Sequence, residues 1–306
     1  MRKLKKPKSS KAKLVFFGNE RLATGVRTAV PVLYSLVAAG YQIKMVVSSH
    51  TEGISRSQRA LEIIDVAHAY HIPVVLPRRP DEVAARIKRS YAEAAILVAY
   101  GRIIPQRIID LFPKGIINIH PSLLPQLRGS TPVETAILNG LDETGVSLMK
   151  LTAEMDAGPV YAQKKVPLYG YETKAGLAAK LADEGVALLA EHLDDILSGK
   201  LEPKLQDETE ATYTRLLAKQ DGLIDFKEPA IDIERKIRAF AGFPKARASL
   251  LGHNVVLLKA RVVAKRTNGA LVVPCSQGYL EILELTAPSG RNVSGADFIR
   301  GYKKNN

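Results

Sequence analysis

From Leu14 onward the chain alternates short, continuously apolar runs with longer segments in which apolar residues recur every three or four positions. Leu14 to Phe17, closed by Gly18-Asn19, reads as a first strand; Ile43 to Val47, Val74 to Leu76 and Ala94 to Tyr100 read as the next three. Each is apolar on both faces, as strands are in a parallel sheet covered by helices. Between them, Pro31 to Gly40 sets Leu33, Leu36 and Val37 on one helical face before a glycine stop. A second helix runs to Tyr70, and a third starts at Asp81 and ends near Ser90. Strands and helices alternating at this spacing predict right-handed crossovers and a doubly wound, parallel α/β sheet.

The fifth apolar run differs from the others. Ile116, Ile117 and Ile119 read as a buried strand, and Asn118 and His120 alternate with Ile117 and Ile119, so carboxamide and imidazole leave on one face. Pro121 and Pro125 cannot continue a ladder, so the strand ends where its polar side chains emerge, and the chain loops to a turn at Arg128-Gly129. Ligands of open α/β sheets lie outside the carboxyl ends of the strands. Tyr100-Gly101, Asn118, His120 and the loop Ser122-Leu123-Leu124-Pro125 all belong to that rim. Gly18 and Gly25 stand seven positions apart, so the Gly-x-Gly-x-x-Gly dinucleotide fingerprint is absent, which argues against a nicotinamide dehydrogenase.

Thr131 to Asn139 reads as a helix, Thr144 to Lys150 and Val160 to Val166 as strands, and Glu154 to Pro159 as the tight turn between them. Asp156 in that turn is a capping or turn aspartate, or a third functional group. The helix Thr173 to Ser198 carries a leucine stripe, and residues 199–212, charged and broken by Pro203, read as a linker. Beyond Tyr213 the period changes to one helix, Ile231 to Phe240, and short strands near Ser249 to Leu251, Val255 to Ala264, Ala270 to Pro274 and Tyr279 to Leu285. The expected organisation is a basic tail (1–13), an α/β domain (14–198), the linker (199–212) and a small OB-like β-barrel domain (213–306).

Charge sharpens this division. Residues 1–13 carry seven basic and no acidic side chains, 14–212 carry 21 and 23, and 213–306 carry 16 and eight, giving +7, −2 and +8 of the total +13. Basic ends around a neutral middle suit a polyanionic partner and a small-molecule site. No apolar run reaches membrane-spanning length, the tail lacks a signal-peptide h-region, and the single Cys275 excludes an intrachain disulfide. A cytoplasmic, metal-free protein is expected. Arg56 and Arg59, in the polar stretch 48–60, are candidates for phosphate contact or simply a solvated face.

Together, Asn118-Ile119-His120-Pro121-Ser122-Leu123-Leu124-Pro125, Arg128-Gly129-Ser130-Thr131-Pro132, Glu143-Thr144-Gly145 and Met155-Asp156-Ala157-Gly158 resemble the folate-dependent formyltransferase family. The resemblance extends through Gln206-Asp207-Glu208-Thr209, Gly222-Leu223-Ile224-Asp225-Phe226 and Ile237-Arg238-Ala239-Phe240, and is strongest to the branch that formylates the amino acid on charged initiator tRNA. It implies 10-formyltetrahydrofolate as formyl donor, with Asn118, His120 and Asp156 as catalytic residues. Tyr100, Gly101 and Ser122 to Pro125 then bound the folate, while Arg128, Arg56 and Arg59 meet the tRNA. A monomer, with no membrane partner, is expected. The site residues by themselves leave open a glycinamide ribonucleotide or an amino-sugar nucleotide as acceptor. If the Lys-rich tail serves mainly solubility, deleting residues 1–13 weakens binding of charged tRNA by less than about twofold at physiological salt. Filter binding measures this, and a larger loss makes the tail an acceptor-binding arm.

Overall fold

The computed structural model describes residues 11–26, 30–48 and 61–302; Arg56, Arg59 and residues 1–10 of the basic tail lie outside them. Strands β1 (Lys13–Gly18), β2 (Gln42–Val47), β3 (Val74–Val75), β4 (Ala94–Val98) and β5 (Ile116–His120) are parallel in the order β3-β2-β1-β4-β5. Two antiparallel strands, β6 (Glu143–Lys150) and β7 (Val160–Pro167), extend the sheet beyond β5. The turn between β6 and β7 is too short for the crossover that a parallel neighbour requires, so β7 runs antiparallel to β6.

Alternation along each strand separates two cores. Leu14, Phe16, Ile117 and Ile119 face α1 (Pro31–Ala38), α2 (Glu62–Ala69), α5 (Pro132–Leu138) and α6 (Lys174–Ser198). Val15, Phe17, Leu97 and Ile116 face α3 (Ala84–Ser90) and α4 (Gln106–Ile109), a short helix not foreseen in the sequence. Helix α6 lies close on β5: a Cβ on Gly185 would stand 2.9 Å from the Ile119 Cγ2. Asn118 and His120 therefore leave β5 on the α3–α4 side, the face that carries Ile116.

The C-terminal unit holds α7 (Ala230–Ala239), β8 (Ala246–Leu250), β9 (His253–Val263), β10 (Val272–Pro274), β11 (Tyr279–Thr286), β12 (Asn292–Ser294) and α8 (Gly295–Tyr302). Its five antiparallel strands, ordered β10-β11-β9-β8 with β12 also on β11, curl around Ile233, Ile237, Leu280 and Phe298 as a half-barrel. Among the described residues no ladder joins β8 to β10. Helix α8 is not among the expected elements, although Ser294-Gly295-Ala296-Asp297 is a capping signature, with Asp297 N–H donating to Ser294 Oγ at 3.1 Å. Among the described residues no helix is long and apolar enough to cross a membrane.

The two units meet at a seam where α5 packs on α7 and Gly25 lies against the backbone of Gly242 and Phe243. Within it the fully buried Lys174 ammonium donates to the carbonyls of Thr24 (2.7 Å) and Phe243 (2.9 Å), with the buried Glu134 carboxylate 3.8 Å away. Burial lowers the Lys174 pKa from 10.5 to about 8, against the opposing pull of Glu134. Lys174→Met strands that carboxylate and is expected to cost about 3–5 kcal/mol in urea unfolding at pH 7. Because the folded pKa lies below the unfolded one, the unfolded chain binds the extra proton, and the parent's margin over the variant widens from pH 8 towards 10.5.

Candidate active site

At the lip of β5, Asn118 is flanked by Leu97 of β4 and Met149 of β6, and His120 by Ser147 of β6, so both polar side chains are buried at the sheet's edge. The His120 Nε2 lies 3.1 Å from the Leu127 carbonyl oxygen. A carbonyl only accepts, so Nε2 carries the proton and donates, which leaves Nδ1 for other chemistry. Nδ1 faces Asp156 Oδ1 at 3.7 Å, just beyond direct hydrogen-bond distance.

Asp156 reaches this position because the β6–β7 turn is pressed against the end of β6. A Cβ on Gly158 would stand 1.9 Å from the Lys150 carbonyl oxygen, so glycine alone fits. Asp156 itself has a left-handed backbone, φ +50°, and its Oδ2 accepts from the Gly129 N–H at 2.8 Å. Asn118, His120 and Asp156, 38 positions apart at the extremes, thus converge.

The loop after β5 is fastened by Ser147. Its Oγ donates to the Ser122 carbonyl (2.6 Å) and accepts from the Leu124 N–H (3.1 Å) and from Gln163 Nε2 (2.9 Å). Gln163 Nε2 also donates to the Leu124 carbonyl at 2.8 Å, beside a cis Leu124-Pro125 bond. The expected folate-site residues divide. Ser122 Oγ turns inward to the Gln126 carbonyl at 2.6 Å, and Leu123 packs over Gly145. The Tyr100 ring is in the core, edge-on to Phe17 with centroids 5.4 Å apart, and burial raises its phenol pKa. Gly101, with φ +71°, is exposed at the rim.

Arg128 overturns an expectation. It is 1% exposed, and all five N–H donors are engaged inside the protein. Its terminal nitrogens donate to both oxygens of Glu208 (2.7 and 2.8 Å), one of them also to Tyr213 Oη (3.1 Å), and Nε and Nη2 donate to Gln206 Oε1 (3.1 and 2.8 Å). Glu208 raises the guanidinium's pKa further, so a buried, fixed charge stands where a tRNA phosphate contact was expected.

The segment expected as a linker is correspondingly docked. Lys204 exchanges backbone hydrogen bonds with Val160 at 2.7 and 2.8 Å, extending the edge beyond β7. Thr212 accepts from the Arg128 N–H through its carbonyl (2.9 Å) and from the Leu127 N–H through its hydroxyl (2.8 Å), and Thr214 N–H donates to the Arg128 carbonyl at 2.7 Å. Gly129 permits this approach: a Cβ there would meet Thr214 O at 2.7 Å. Among the described residues no group of three His, Cys, Asp or Glu is placed to hold a metal ion.

Sequence families and known structures share this organisation. The family model Formyl transferase matches residues 32–193, and Formyl transferase, C-terminal domain, matches 216–303. The protein is therefore a formyl-transferring enzyme. The methionyl-tRNA formyltransferase of Pelobacter propionicus is 33% identical over 95% of this chain and 94% of its own, and that of Koribacter versatilis 35% identical over 95% and 96%. The chain belongs to the methionyl-tRNA formyltransferase family. Its fold is shared with the N-formyltransferase of Helicobacter canadensis in complex with folinic acid and dTDP-3-aminofucose (TM-score 0.67, 20% identity, 89% of this chain and 98% of that one). It is shared also with HypX of Aquifex aeolicus in complex with tetrahydrofolic acid (TM-score 0.66, 18% identity, 97% of this chain), of which the chain spans 48%.

Ser147→Ala removes the hydroxyl on which the loop is fastened and leaves the Leu124 N–H and the Ser122 carbonyl without their partner. The expected cost is about 1–3 kcal/mol, read as a lower urea midpoint at unchanged denaturant slope.

Proposed function

We propose that the protein transfers the formyl group of 10-formyltetrahydrofolate to the α-amino group of methionyl-initiator tRNA, supplying the formylated initiator for translation. The observation that carries this reading is the approach of Asp156 Oδ1 to within 3.7 Å of His120 Nδ1 at the lip that also holds Asn118. The amine attacks the formyl carbon, a C–N bond forms, and the carbonyl oxygen becomes a tetrahedral oxyanion. The Asn118 NH2 donates to that oxygen, and His120, whose Nε2–H is held by the Leu127 carbonyl, donates from Nδ1 in its doubly protonated form, with the Asp156 carboxylate as counter-charge. Asp156, directly or through water, accepts the proton lost by the amine and returns it as the bond to N10 breaks, leaving tetrahydrofolate and the formylamide. The folate lies over Gly101 and the backbone of residues 122–125, with Tyr100 supporting that floor from the core.

The acceptor rests on two supports. The relatives aligned over 95% of the chain are named for methionyl-tRNA, and residues 213–306 carry the excess of 16 basic over eight acidic side chains that a polyanion requires.

Asn118→Ala is expected to lower kcat for formylation of charged initiator tRNA by about 10²–10³-fold, as loss of one oxyanion donor does. The assay follows radiolabelled formyl transfer in parallel to methionyl-tRNA and to an amino-sugar nucleotide. Formylation of the sugar alone overturns the acceptor assignment, and undiminished turnover of the variant overturns the site.

A further inference from the structure

The geometry points to Gln206 as a positioning residue: its one side-chain amide sets the backbone of Asp156 and, through Arg128, the loop that orients His120. The inference rests on the reading of Asp156 as the proton acceptor.

Gln206 Nε2 donates to the carbonyls of Asp156 (2.8 Å) and Gly158 (2.6 Å), while Oε1 accepts from Arg128 Nε and Nη2 (3.1 and 2.8 Å). The orientation of the amide follows from chemistry. Arginine has only donors and a carbonyl only accepts, so a flipped amide would lose all four contacts. The amide's full hydrogen-bonding capacity is spent on two loops that are distant in sequence and carry opposite halves of the site.

Each contact fixes something the chemistry uses. The left-handed backbone of Asp156, φ +50°, is unfavourable for a residue with a Cβ and persists where its surroundings over-determine it. Two groups hold it, Gln206 on its carbonyl and Gly129 N–H on its carboxylate (2.8 Å). On the other side, Arg128 follows Leu127, whose carbonyl takes the His120 Nε2 proton and sets the ring's orientation. Gln206 thus ties the donor side of His120 to the backbone of its carboxylate partner. The segment itself does not depend on Gln206 for its place, because the Lys204–Val160, Thr212–Leu127 and Thr214–Arg128 bonds and the Arg128–Glu208 pair remain without it.

The test uses full-length protein and four variants: Gln206→Glu, Gln206→Leu, Asp156→Asn and Gln206→Glu with Asp156→Asn. Glutamate keeps an oxygen towards Arg128 but turns a second one onto the Asp156 and Gly158 carbonyls, whereas leucine removes both halves. Gln206→Glu is expected to lower kcat by about 10- to 100-fold, as an ångström-scale misplacement does. KM for both substrates stays within about twofold and the urea midpoint near that of the parent, and Gln206→Leu falls at least as far. In the Asp156→Asn background, read by single-turnover formyl transfer, the same Gln206→Glu change is expected to cost less than about twofold, because its effect passes through Asp156. Additive losses in the double variant, or a fall in kcat that tracks lost stability, overturn the positioning role. An impaired Asp156→Asn beside a fully active Gln206→Glu also overturns it, while leaving the active-site reading intact. Parent-like turnover of Asp156→Asn overturns that reading itself.

Discussion

A guanidinium sealed from solvent constrains the middle of this molecule more than any apolar contact. A buried charge persists only if it is paired and every donor finds an acceptor. For Arg128 the side-chain acceptors all come from one later stretch of chain: Gln206, Glu208 and Tyr213. Residues 204–214 therefore run as a strap across the loops that carry Leu127, Arg128 and Asp156. Once Gln206 is held at Arg128, its amide nitrogen is delivered to Asp156, and the site closes around a contact that began as a charge-burial problem.

The sheet supplies the other half of the constraint. β6 runs antiparallel to β5 and β7 antiparallel to β6, and the turn between β6 and β7 folds over the polar face of β5, bringing Asp156 to His120. The same two strands place Ser147 and Gln163 under the loop after β5, so one edge both fastens that loop and carries the carboxylate. Helix α6, pressed on Ile119 through Gly185, begins at Lys174 in the seam to the C-terminal unit. Strap and seam join the halves by buried polar contacts, which are directional and fix relative position more closely than apolar contact does.

Much of the architecture was legible because it follows from local pattern. Runs such as Leu14 to Phe17 and Ala94 to Val98 can only be strands buried on both faces, and the stripe of α6 can only be a helix packed on one. Weaker local signals gave less. Helix α4 is four residues long, β12 three, and α8 was announced only by its cap. The barrel expected from strand spacing is a half-barrel because spacing counts strands without saying which edges meet.

Asn118 and His120 were readable as a pair because period-two alternation puts them on one face of a strand whose end is marked by proline. Asp156 was visible as a turn residue, and the catalytic role proposed for it came only from a resemblance. Arg128 and Gln206 mark the boundary. In sequence, an arginine after a loop is a surface cation and a glutamine in a charged stretch is linker, since nothing local distinguishes them. Burial and partnership are properties of contacts between residues 78 positions apart, and these exist only once the sheet's reversed edge and the docked strap have brought the two stretches together. The sequence by itself determined the elements and the strand-end pair; the tertiary structure decided which charged and polar residues build the site, because hydrogen-bond satisfaction in a dry interior is settled by the whole fold.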